Sequence, residues 1–377
     1  MAIPAEAKAI LRDAVASGVG SAAALAWQVG GDRELFAIGR TTFPQWSNHS
    51  IDTHAQFDLA SLTKPISTLT LLVGELAERH VALDDRLDAH LAIARGTARG
   101  AATVGQLLSH TSGAPAWLDF FAATHEVATD RRVQAVQQAV LTTPNTYTPG
   151  TQAIYSDLGF MALGWLLEAV TGKSLDVLFA ERVAAPLGLQ AEFRRLSRSE
   201  SAPDAIVATE VWPPRSRNGE PLRGVVHDDN CAALDGVAGH AGLFGSVADV
   251  ATWAACWLAA VRGTTGGAQA LNLPPALCQT LARLAGCPGT SWRHGWDTPT
   301  RPGSSAGELV PDDAFGHLGF TGTSVWFAPE SNAFAALLTN RVHPSRDAVS
   351  GIRALRPRLH DCLWRALPAT SAALQTR

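Results

Sequence analysis

The stretch FDLASLTKPIST, residues 57–68, places Ser61 and Lys64 three positions apart at the predicted start of a helix. Pro65 limits where this helix begins, because proline has no amide hydrogen to donate and is tolerated only in a first turn. Residues three apart on a helix share a face, so the Lys64 amine can reach the Ser61 hydroxyl. Two interpretations are open: an ordinary serine-capped helix, or a serine nucleophile with a lysine beside it.

The helix that follows is predicted to run to about His80. Apolar residues recur at helical spacing after Ser61, namely Leu62, Ile66, Leu69, Leu72, Val73 and Leu76. The start of a helix favours negative charge, because its first amide groups have no partner within the helix. Ser61 therefore lies where negative charge on an oxygen would be stabilised.

The composition describes a large, moderately hydrophobic and weakly charged protein. The chain has 377 residues, which suits two domains or one large domain with an insertion. Charged residues make up 17%, below the roughly 25% of an average soluble protein. The formal net charge is −4 with no basic run, so nothing indicates a nucleic acid or an anionic membrane as a partner. No apolar run approaches the ~18 residues that a membrane-spanning helix needs.

The N-terminal segment and the cysteines indicate a cytoplasmic protein. Residues 1–18 carry charged side chains where a signal peptide would be apolar, and they predict an amphipathic surface helix. We therefore expect a cytoplasmic location, unless a leader has been removed. The five cysteines are odd in number and form no CxxC pair, so we expect reduced, partly buried thiols.

Strand signals lie near both ends of the chain. Residues 21–40 contain two apolar runs around a turn at Gly30-Gly31-Asp32, which predicts a hairpin. Residues 317–328 and 333–340 form a similar pair of runs. The stretch 345–367 has helical spacing and predicts a closing helix.

The middle of the chain predicts mostly helices. Residues 158–171 follow Asp157 as a possible N-cap, and Ser246 with Asp249 has the spacing of a capping box. The simplest architecture is one α/β domain built from residues 1–80 and 288–377, with a mainly helical domain, residues 81–287, inserted between them. We expect the active site at the interface of the two domains.

Two further motifs accompany Ser61 and Lys64. The stretch TPGTQAIYSDLGF (148–160) contains Tyr155-Ser156-Asp157, and FGHLGFTGTSVW (315–326) contains His317-Leu318-Gly319 at the head of a predicted strand. SxxK, then YxN, then K/HxG on a late strand is the signature of penicillin-recognising serine hydrolases, and this sequence resembles that superfamily. The segments QLLSHTSGAP (106–115) and GVAGHAGLFGSVADVATW (236–253) are similar to its class C β-lactamase-like branch, which includes esterases, D-amino peptidases and low-molecular-weight penicillin-binding proteins.

The resemblance implies a fold and a set of roles. The implied fold is the β-lactamase/transpeptidase-like α/β (α+β) fold, an antiparallel sheet flanked by the terminal helices with an inserted all-helical domain. Ser61 would be the acylated nucleophile, Lys64 its proton-managing neighbour and Tyr155 the general base. A nearby Lys64 ammonium is expected to lower the pKa of Tyr155 by favouring the phenolate. The backbone amides of Ser61 and Phe320 would form the oxyanion hole, and Gly319 suits a strand that another group approaches closely.

Two positions depart from the family pattern. Asp157 stands where many relatives have asparagine; an ionised carboxylate cannot donate to the acylamido carbonyl of a β-lactam, but it could accept a hydrogen bond from Lys64. Asp157 could also be a helix N-cap. His317 replaces a lysine that in many relatives helps to bind the substrate's carboxylate, and a neutral imidazole attracts an anion weakly. Both departures weaken recognition of penicillins and D-Ala-D-Ala and leave the nucleophile intact.

Other histidines and carboxylates have weaker claims to a role. His110 is favoured as a structural residue, whereas His240 lies in a glycine-rich loop that could border the cleft and contact substrate. His227, Asp228 and Asp229 could suggest a metal, but no second cluster with ligand spacing accompanies them. We therefore expect a polar loop there, with no metal and no cofactor.

The aromatic loop of Trp117, Phe120 and Phe121 suits the core and an acyl pocket equally well. We expect a serine hydrolase acting on small or medium carboxylic esters. The alternatives are a D-amino-acid peptidase or penicillin-binding protein with weak β-lactamase activity, an acyltransferase, and a non-catalytic binding module. The expected partner is a small ester or amide; the oligomeric state is open, with a monomer slightly favoured.

Overall fold

The computed structural model describes residues 1–46, 49–198, 202–216, 218–264 and 267–368. The strands of these residues are β1 (Ala22–Val29), β2 (Asp32–Gly39), β3 (Phe57–Asp58), β4 (Glu192–Phe193), β5 (Leu243–Gly245), β6 (Phe315–Leu318), β7 (Ser324–Ala328) and β8 (Ala333–Thr339). Five of them form one antiparallel sheet in the order β2-β1-β8-β7-β6. The sheet is thus built from both ends of the chain, as expected, and the fold is the β-lactamase/transpeptidase-like fold.

The helices lie before, between and after these strands. In chain order they are α1 (Ala5–Ala16), α2 (Thr70–Ala77), α3 (Leu87–His90), α4 (Val104–Leu108), α5 (Phe120–Ala123), α6 (Thr129–Thr142), α7 (Asp157–Thr171), α8 (Leu175–Phe179), α9 (Ala185–Leu187), α10 (Asp229–Ala233), α11 (Val247–Arg262), α12 (Pro275–Arg283) and α13 (Val349–Arg365). Short 3-10 segments cover Ala60–Leu62, Ala92–Ala94, Leu196–Arg198 and Gly267–Leu271, and π-helical segments cover Lys64–Leu69 and Ala180–Ala184. No helix among the described residues is long and apolar enough to cross a bilayer.

The predicted hairpins form, but residues 317–328 are not one strand. The Gly319 amide donates to the Thr323 carbonyl oxygen over 2.7 Å and closes a turn between β6 and β7. Gly322 supplies this turn with a φ of 104°, which is open to glycine and strained for other residues. His317 therefore lies near the end of β6 rather than at the head of a strand, and Phe320 lies in the turn.

Alternating side chains of the sheet face two separate cores, because successive strand residues point to opposite faces. On one face, Trp27 of β1 meets Trp364 of α13 edge to face, with ring centroids 5.4 Å apart. On the other face, Phe327 of β7 meets Trp253 of α11, with ring centroids 6.1 Å apart. The sheet is thus covered by the terminal helices on one side and by the central helices on the other.

The central region contains features that the sequence analysis did not predict. The short strands β3, β5 and β4 form a second sheet in that order, which leads the chain toward Ser61. Ser246 and Asp249 do form the predicted capping box at the start of α11. Asp157 is not the N-cap of α7: Ser156 takes that position and Asp157 is the first helical residue. The two domain ranges stay a prediction, whereas the five cysteines are free and buried as expected.

The helix entered at Ser61 changes its winding twice before it becomes regular. A 3-10 turn is followed by the π-helical segment and then by α2, in which Thr70 Oγ1 donates to the Pro65 carbonyl oxygen over 2.8 Å. Thr70 Oγ1 also accepts the indole N–H groups of Trp253 and Trp257, each over 3.0 Å. One buried hydroxyl thus joins α11 to the helix that carries the SxxK motif.

Replacing Thr70 by the isosteric valine should therefore destabilise the protein. We expect Thr70→Val to lower the free energy of unfolding by about 2–4 kcal/mol, because each buried donor left unpaired costs about 1–3 kcal/mol. Urea unfolding measures the change. Thr280→Val is the matched control, since the hydroxyl of exposed Thr280 makes one hydrogen bond, to the Ala276 carbonyl oxygen. An equal loss in both variants would contradict this account of the junction.

Candidate active site

Lys64 lies at the centre of the site, and its side chain is fully buried. Its Nζ lies 3.1 Å from Ser61 Oγ, 2.7 Å from Tyr155 Oη and 2.7 Å from Asp157 Oδ1. It also donates to the backbone carbonyl oxygen of His240 over 3.2 Å. The structure therefore brings the predicted SxxK and YxD residues together around one amine.

Three segments of the chain deliver these groups. Ser61 and Lys64 lie at the start of the SxxK helix, and Tyr155 lies two residues before α7. The third segment is the glycine-rich loop, residues 236–242. In it, the Gly239 carbonyl oxygen accepts a hydrogen bond from Thr68 Oγ1 over 2.7 Å. A Cβ on Gly239 would lie 2.1 Å from the Phe160 carbonyl oxygen of α7. Glycine is therefore needed for this loop to reach the lysine.

The backbone just before the nucleophile has an uncommon conformation. Ala60 has a φ of 48°, a left-handed value that residues with a side chain rarely adopt. The Asp58 carboxylate holds it, because Oδ1 accepts the Ala60 amide over 2.8 Å and Oδ2 accepts the His227 amide over 2.6 Å. Burial raises the pKa of Asp58. Asp58 thus fixes the turn that presents Ser61.

The protonation of the Lys64–Tyr155 pair differs from the expectation. Burial raises the pKa of Tyr155 by more than the nearby Lys64 charge lowers it, and the charge of Asp157 adds to the rise. Burial also opposes the charge on Lys64, but Asp157 and Tyr155 outweigh it and raise the pKa of Lys64. The Lys64 charge thus acts in the expected direction, but burial outweighs it and the pKa of Tyr155 is raised rather than lowered. In the resting site a neutral phenol lies beside an ammonium.

The turn between β6 and β7 is fastened to the segment that precedes Ser61. Thr321 Oγ1 donates to the Asp58 carbonyl oxygen over 2.7 Å, and Thr323 Oγ1 donates to the Leu59 carbonyl oxygen over 3.0 Å. A Cβ on Gly319 would lie 2.8 Å from that Leu59 oxygen and 2.0 Å from Thr323 Oγ1. Glycine at 319 therefore permits the close approach that the sequence predicted.

His317 is buried beside the site and uncharged at neutral pH. Its Nδ1 lies 2.8 Å from the Leu318 carbonyl oxygen, which can only accept, so Nδ1 carries the proton and Nε2 is a bare acceptor. Burial, and then the charge of Lys64, lower the pKa of His317 to about 3. A fixed positive charge is therefore missing at the position where many relatives carry lysine.

Aromatic rings enclose the side chain of Tyr155. Trp292 stacks on the phenol with centroids 4.9 Å apart, and His110 lies 4.7 Å away. His110 is buried, accepts the Ser156 amide at Nδ1 over 3.1 Å and has its pKa lowered by burial. These contacts give His110 the structural place that the sequence favoured.

His240, Asp228 and Asp157 form a polar cluster beside the lysine. The buried His240 imidazole lies 3.0 Å from Asp228 Oδ1, so His240 offers the site its carbonyl group rather than its ring. The possible ligand atoms of the three side chains lie within 4.8 Å of one another, close enough to hold a metal ion. The ammonium of Lys64 would repel a cation there, since it already bonds to Asp157. The absence of a metal stays a prediction.

Two hydrogen bonds hold the aromatic loop of Trp117, Phe120 and Phe121 beside the site. The Asp157 amide donates to the Ala116 carbonyl oxygen over 3.1 Å, and Asn230 Oδ1 accepts the Phe120 amide over 2.9 Å. Phe120 is buried, whereas the side chain of Trp117 is 49% exposed. The loop therefore divides its residues between the core and the surface beside the site.

A sequence model described as Beta-lactamase matches residues 8–359. The chain belongs to the Beta-lactamase family. A Bacillus subtilis (strain 168) protein named N-acetylmuramyl-L-alanine amidase is 30% identical over 77% of this chain and 69% of its own length. An Escherichia coli (strain K12) relative that carries the name of a D-alanyl-D-alanine carboxypeptidase is 29% identical over 77% of this chain and 70% of its own.

Solved structures support the fold of this Beta-lactamase family member. "EstCE1, a hydrolase with promiscuous acyltransferase activity" covers 95% of this chain and 97% of its own with a TM-score of 0.72 at 21% identity. Simvastatin synthase from Aspergillus terreus covers the same shares with a TM-score of 0.71 at 18% identity. A class C β-lactamase from Rhodobacter sphaeroides gives a TM-score of 0.66 at 18% identity. Family members of this fold are serine hydrolases, so the chain is an enzyme of that class.

Sequence reasoning missed several residues of the site. Asp58 had no usable signal in the sequence, because the left-handed backbone of Ala60 that it holds is visible only in the folded chain. Asp228 was interpreted as part of a polar loop, although it caps α10 and bonds to His240. Trp292 and Asn230 had no motif around them, and only the folded chain brings them to the site.

The raised pKa of Tyr155 can be tested without a substrate. The chain has only two tyrosines, so in a Tyr147→Phe background the tyrosinate absorbance reports Tyr155 alone. We expect its midpoint above the ordinary pKa of about 10. Adding Asp157→Asn should move the midpoint to lower pH, because the carboxylate charge opposes ionisation of the phenol. A midpoint that stays in place after Asp157→Asn would contradict this electrostatic description.

Proposed function

We propose that this Beta-lactamase family member hydrolyses small or medium carboxylic esters through an acyl-enzyme on Ser61. The observation that carries the proposal is that one buried amine, Lys64 Nζ, contacts both Ser61 Oγ and Tyr155 Oη. A serine hydroxyl is a weak nucleophile that needs a base beside it. The phenol–ammonium pair supplies that base once it has lost one proton.

In the proposed acylation, Ser61 Oγ forms a bond to the acyl carbon while its proton passes to the phenolate of Tyr155. The bond to the leaving alkoxide then breaks, and Tyr155 returns the proton to the alcohol oxygen. Water repeats the sequence, releases the carboxylic acid and restores Ser61. Activity should therefore rise with pH on the alkaline side, since the pKa values of Tyr155 and Lys64 are both raised and the competent pair has one proton fewer than the resting pair.

The amides of Ser61 and Phe320 are our candidates for the oxyanion hole. The two hydroxyl bonds from Thr321 and Thr323 to residues 58 and 59 support this assignment, because they tie the Phe320 turn to the Ser61 turn. Donors held in place before the reaction stabilise charge that develops in the transition state.

Esters are favoured over carboxylate-bearing substrates because His317 has no charge and Asp157 can only accept hydrogen bonds from a substrate while ionised. A D-amino-acid peptidase remains the first alternative, and a cytoplasmic location, which stays a prediction, would separate the enzyme from peptidoglycan. Acyl transfer to an alcohol is the second alternative. The exposed rings of Trp117 and Phe320 offer apolar contacts to an acyl group or to an acceptor alcohol. Added ethanol that diverts product from acid to ester would favour transfer.

The nucleophile is tested by p-nitrophenyl acetate and mass spectrometry. Ser61→Ala should abolish hydrolysis and the one-acetyl mass increase while changing stability by at most about 1 kcal/mol. Ser17→Ala, at the exposed end of α1, is the control and should behave as wild type. Wild-type turnover by Ser61→Ala would overturn the proposal.

The substrate charge preference is tested by His317→Lys with nitrocefin and p-nitrophenyl butyrate. An ammonium ~4 Å from a carboxylate gains about 1–4 kcal/mol, depending on the dielectric. After desolvation we expect about 1–2 kcal/mol, or roughly 5- to 30-fold tighter binding of the anionic nitrocefin. The neutral ester should change little. Equal changes for both compounds would mean that position 317 does not face the substrate carboxylate.

A further inference from the structure

A half-buried arginine side chain lies behind the turn that carries Phe320. Arg356 of α13 donates through Nη2 to the carbonyl oxygen of Gly319 over 3.0 Å and to that of Thr323 over 2.7 Å. A second arginine, Arg341, donates through Nε to the Phe320 carbonyl oxygen over 2.7 Å. Two guanidinium groups thus bind successive carbonyl groups of one short turn.

Among the described residues, no carboxylate forms an ion pair with Arg356. Burial, and then the neighbouring charge of Arg341, lower the pKa of Arg356 to about 10. Its Nε is buried and has no hydrogen-bond partner among the described residues. A partly buried cation with no opposite charge beside it costs free energy of folding, so packing alone does not account for a guanidinium here.

The charge of Arg356 can act on the Phe320 amide through the peptide group that joins Gly319 to Phe320. The carbonyl oxygen of Gly319 and the amide hydrogen of Phe320 belong to the same planar peptide unit. A cationic donor on the carbonyl draws electron density toward the oxygen and makes the amide a stronger donor, because hydrogen bonds in a chain polarise one another. The Gly322 amide adds a second donor to that oxygen over 3.1 Å.

We propose that Arg356 is a positioning residue that polarises the Gly319–Phe320 peptide and so strengthens the Phe320 amide in the oxyanion hole. This inference rests on the proposed function, in which that amide binds the developing oxyanion. Arg356 contacts neither substrate nor the reacting atoms. Its charge acts through one peptide unit, mainly when the negative charge forms on the substrate oxygen.

The proposal is tested with Arg356→Lys, Arg356→Gln and Arg356→Met. Arg358→Met is the control, because Arg358 lies exposed on the same helix and loses the same charge. For p-nitrophenyl butyrate we expect kcat to fall about 10-fold in Arg356→Met with KM nearly unchanged, less than the ~100-fold or more caused by loss of an oxyanion donor. Arg356→Lys should keep part of the rate. Arg356→Gln, which keeps an N–H donor without the charge, should resemble Arg356→Met.

Inhibition by butylboronic acid distinguishes an electrostatic role of Arg356 from a merely structural one. A structural role would not change the inhibition constants of the variants in the same order as their kcat values. The tetrahedral adduct of the boronic acid with serine places a negative oxygen in the oxyanion hole, so its inhibition constant should rise in parallel with the loss of kcat. Equal kcat and inhibition constants in wild type and Arg356→Met would overturn the inference. Full activity in Arg356→Gln would also overturn the inference, because a neutral hydrogen-bond donor would then be enough at this position.

Thermal unfolding of each variant shows whether the fold is kept, and Arg356→Lys and Arg356→Gln carry the comparison if Arg356→Met does not fold. The same assays separate this inference from the proposed function. A wild-type protein that is not acylated on Ser61 would refute both. An acylated wild type with unaltered Arg356 variants would refute only the role of Arg356.

Discussion

The buried ammonium of Lys64 is the charge around which the site is organised. A lysine with no exposed surface is tolerated because Asp157 lies 2.7 Å from its Nζ and three further oxygens surround it. These oxygens come from the helix entrance, from the start of α7 and from the glycine-rich loop, so satisfying one charge fixes three segments. The same pairing has a chemical consequence: an aspartate, rather than a neutral amide, favours the protonated lysine and opposes ionisation of Tyr155.

Much of the fold could be predicted because its signals are local. The hairpin at Gly30 and the terminal helix follow from periodicity, and the capping box at Ser246 follows from spacing within one turn. The grouping of Ser61, Lys64 and Tyr155 could also be predicted, but from three motifs in a family order rather than from any one of them. SxxK alone describes many ordinary helix starts. Because the three motifs agree, they support the grouping of residues that lie far apart in the sequence.

The rest could not be predicted, because it depends on balances that exist only in the folded chain. The pKa of Tyr155 is set by burial against the charge of Lys64, and a sequence gives the neighbour but not the burial. The turn between β6 and β7 packs against Leu59, to which Thr323 donates although the two residues lie far apart in the chain. Asp228 and Trp292 reach the site through tertiary packing, with no motif of their own.

Several features of the site oppose folding, and the scaffold around it offsets them. Ala60 has a left-handed backbone; among the described residues, His317 Nε2 has no hydrogen-bond partner and the half-buried Arg356 has no carboxylate beside it. Each costs free energy, and all three adjoin the turns that present Ser61 or Phe320. The two sheet cores are, by contrast, largely apolar, and the Thr70 hydroxyl is hydrogen-bonded both to Pro65 and to the two indole groups. Left-handed residues and unpartnered buried nitrogens also occur far from the site, at Arg79 and Trp27 for example, so these features support the assignment of the site only together with the motifs.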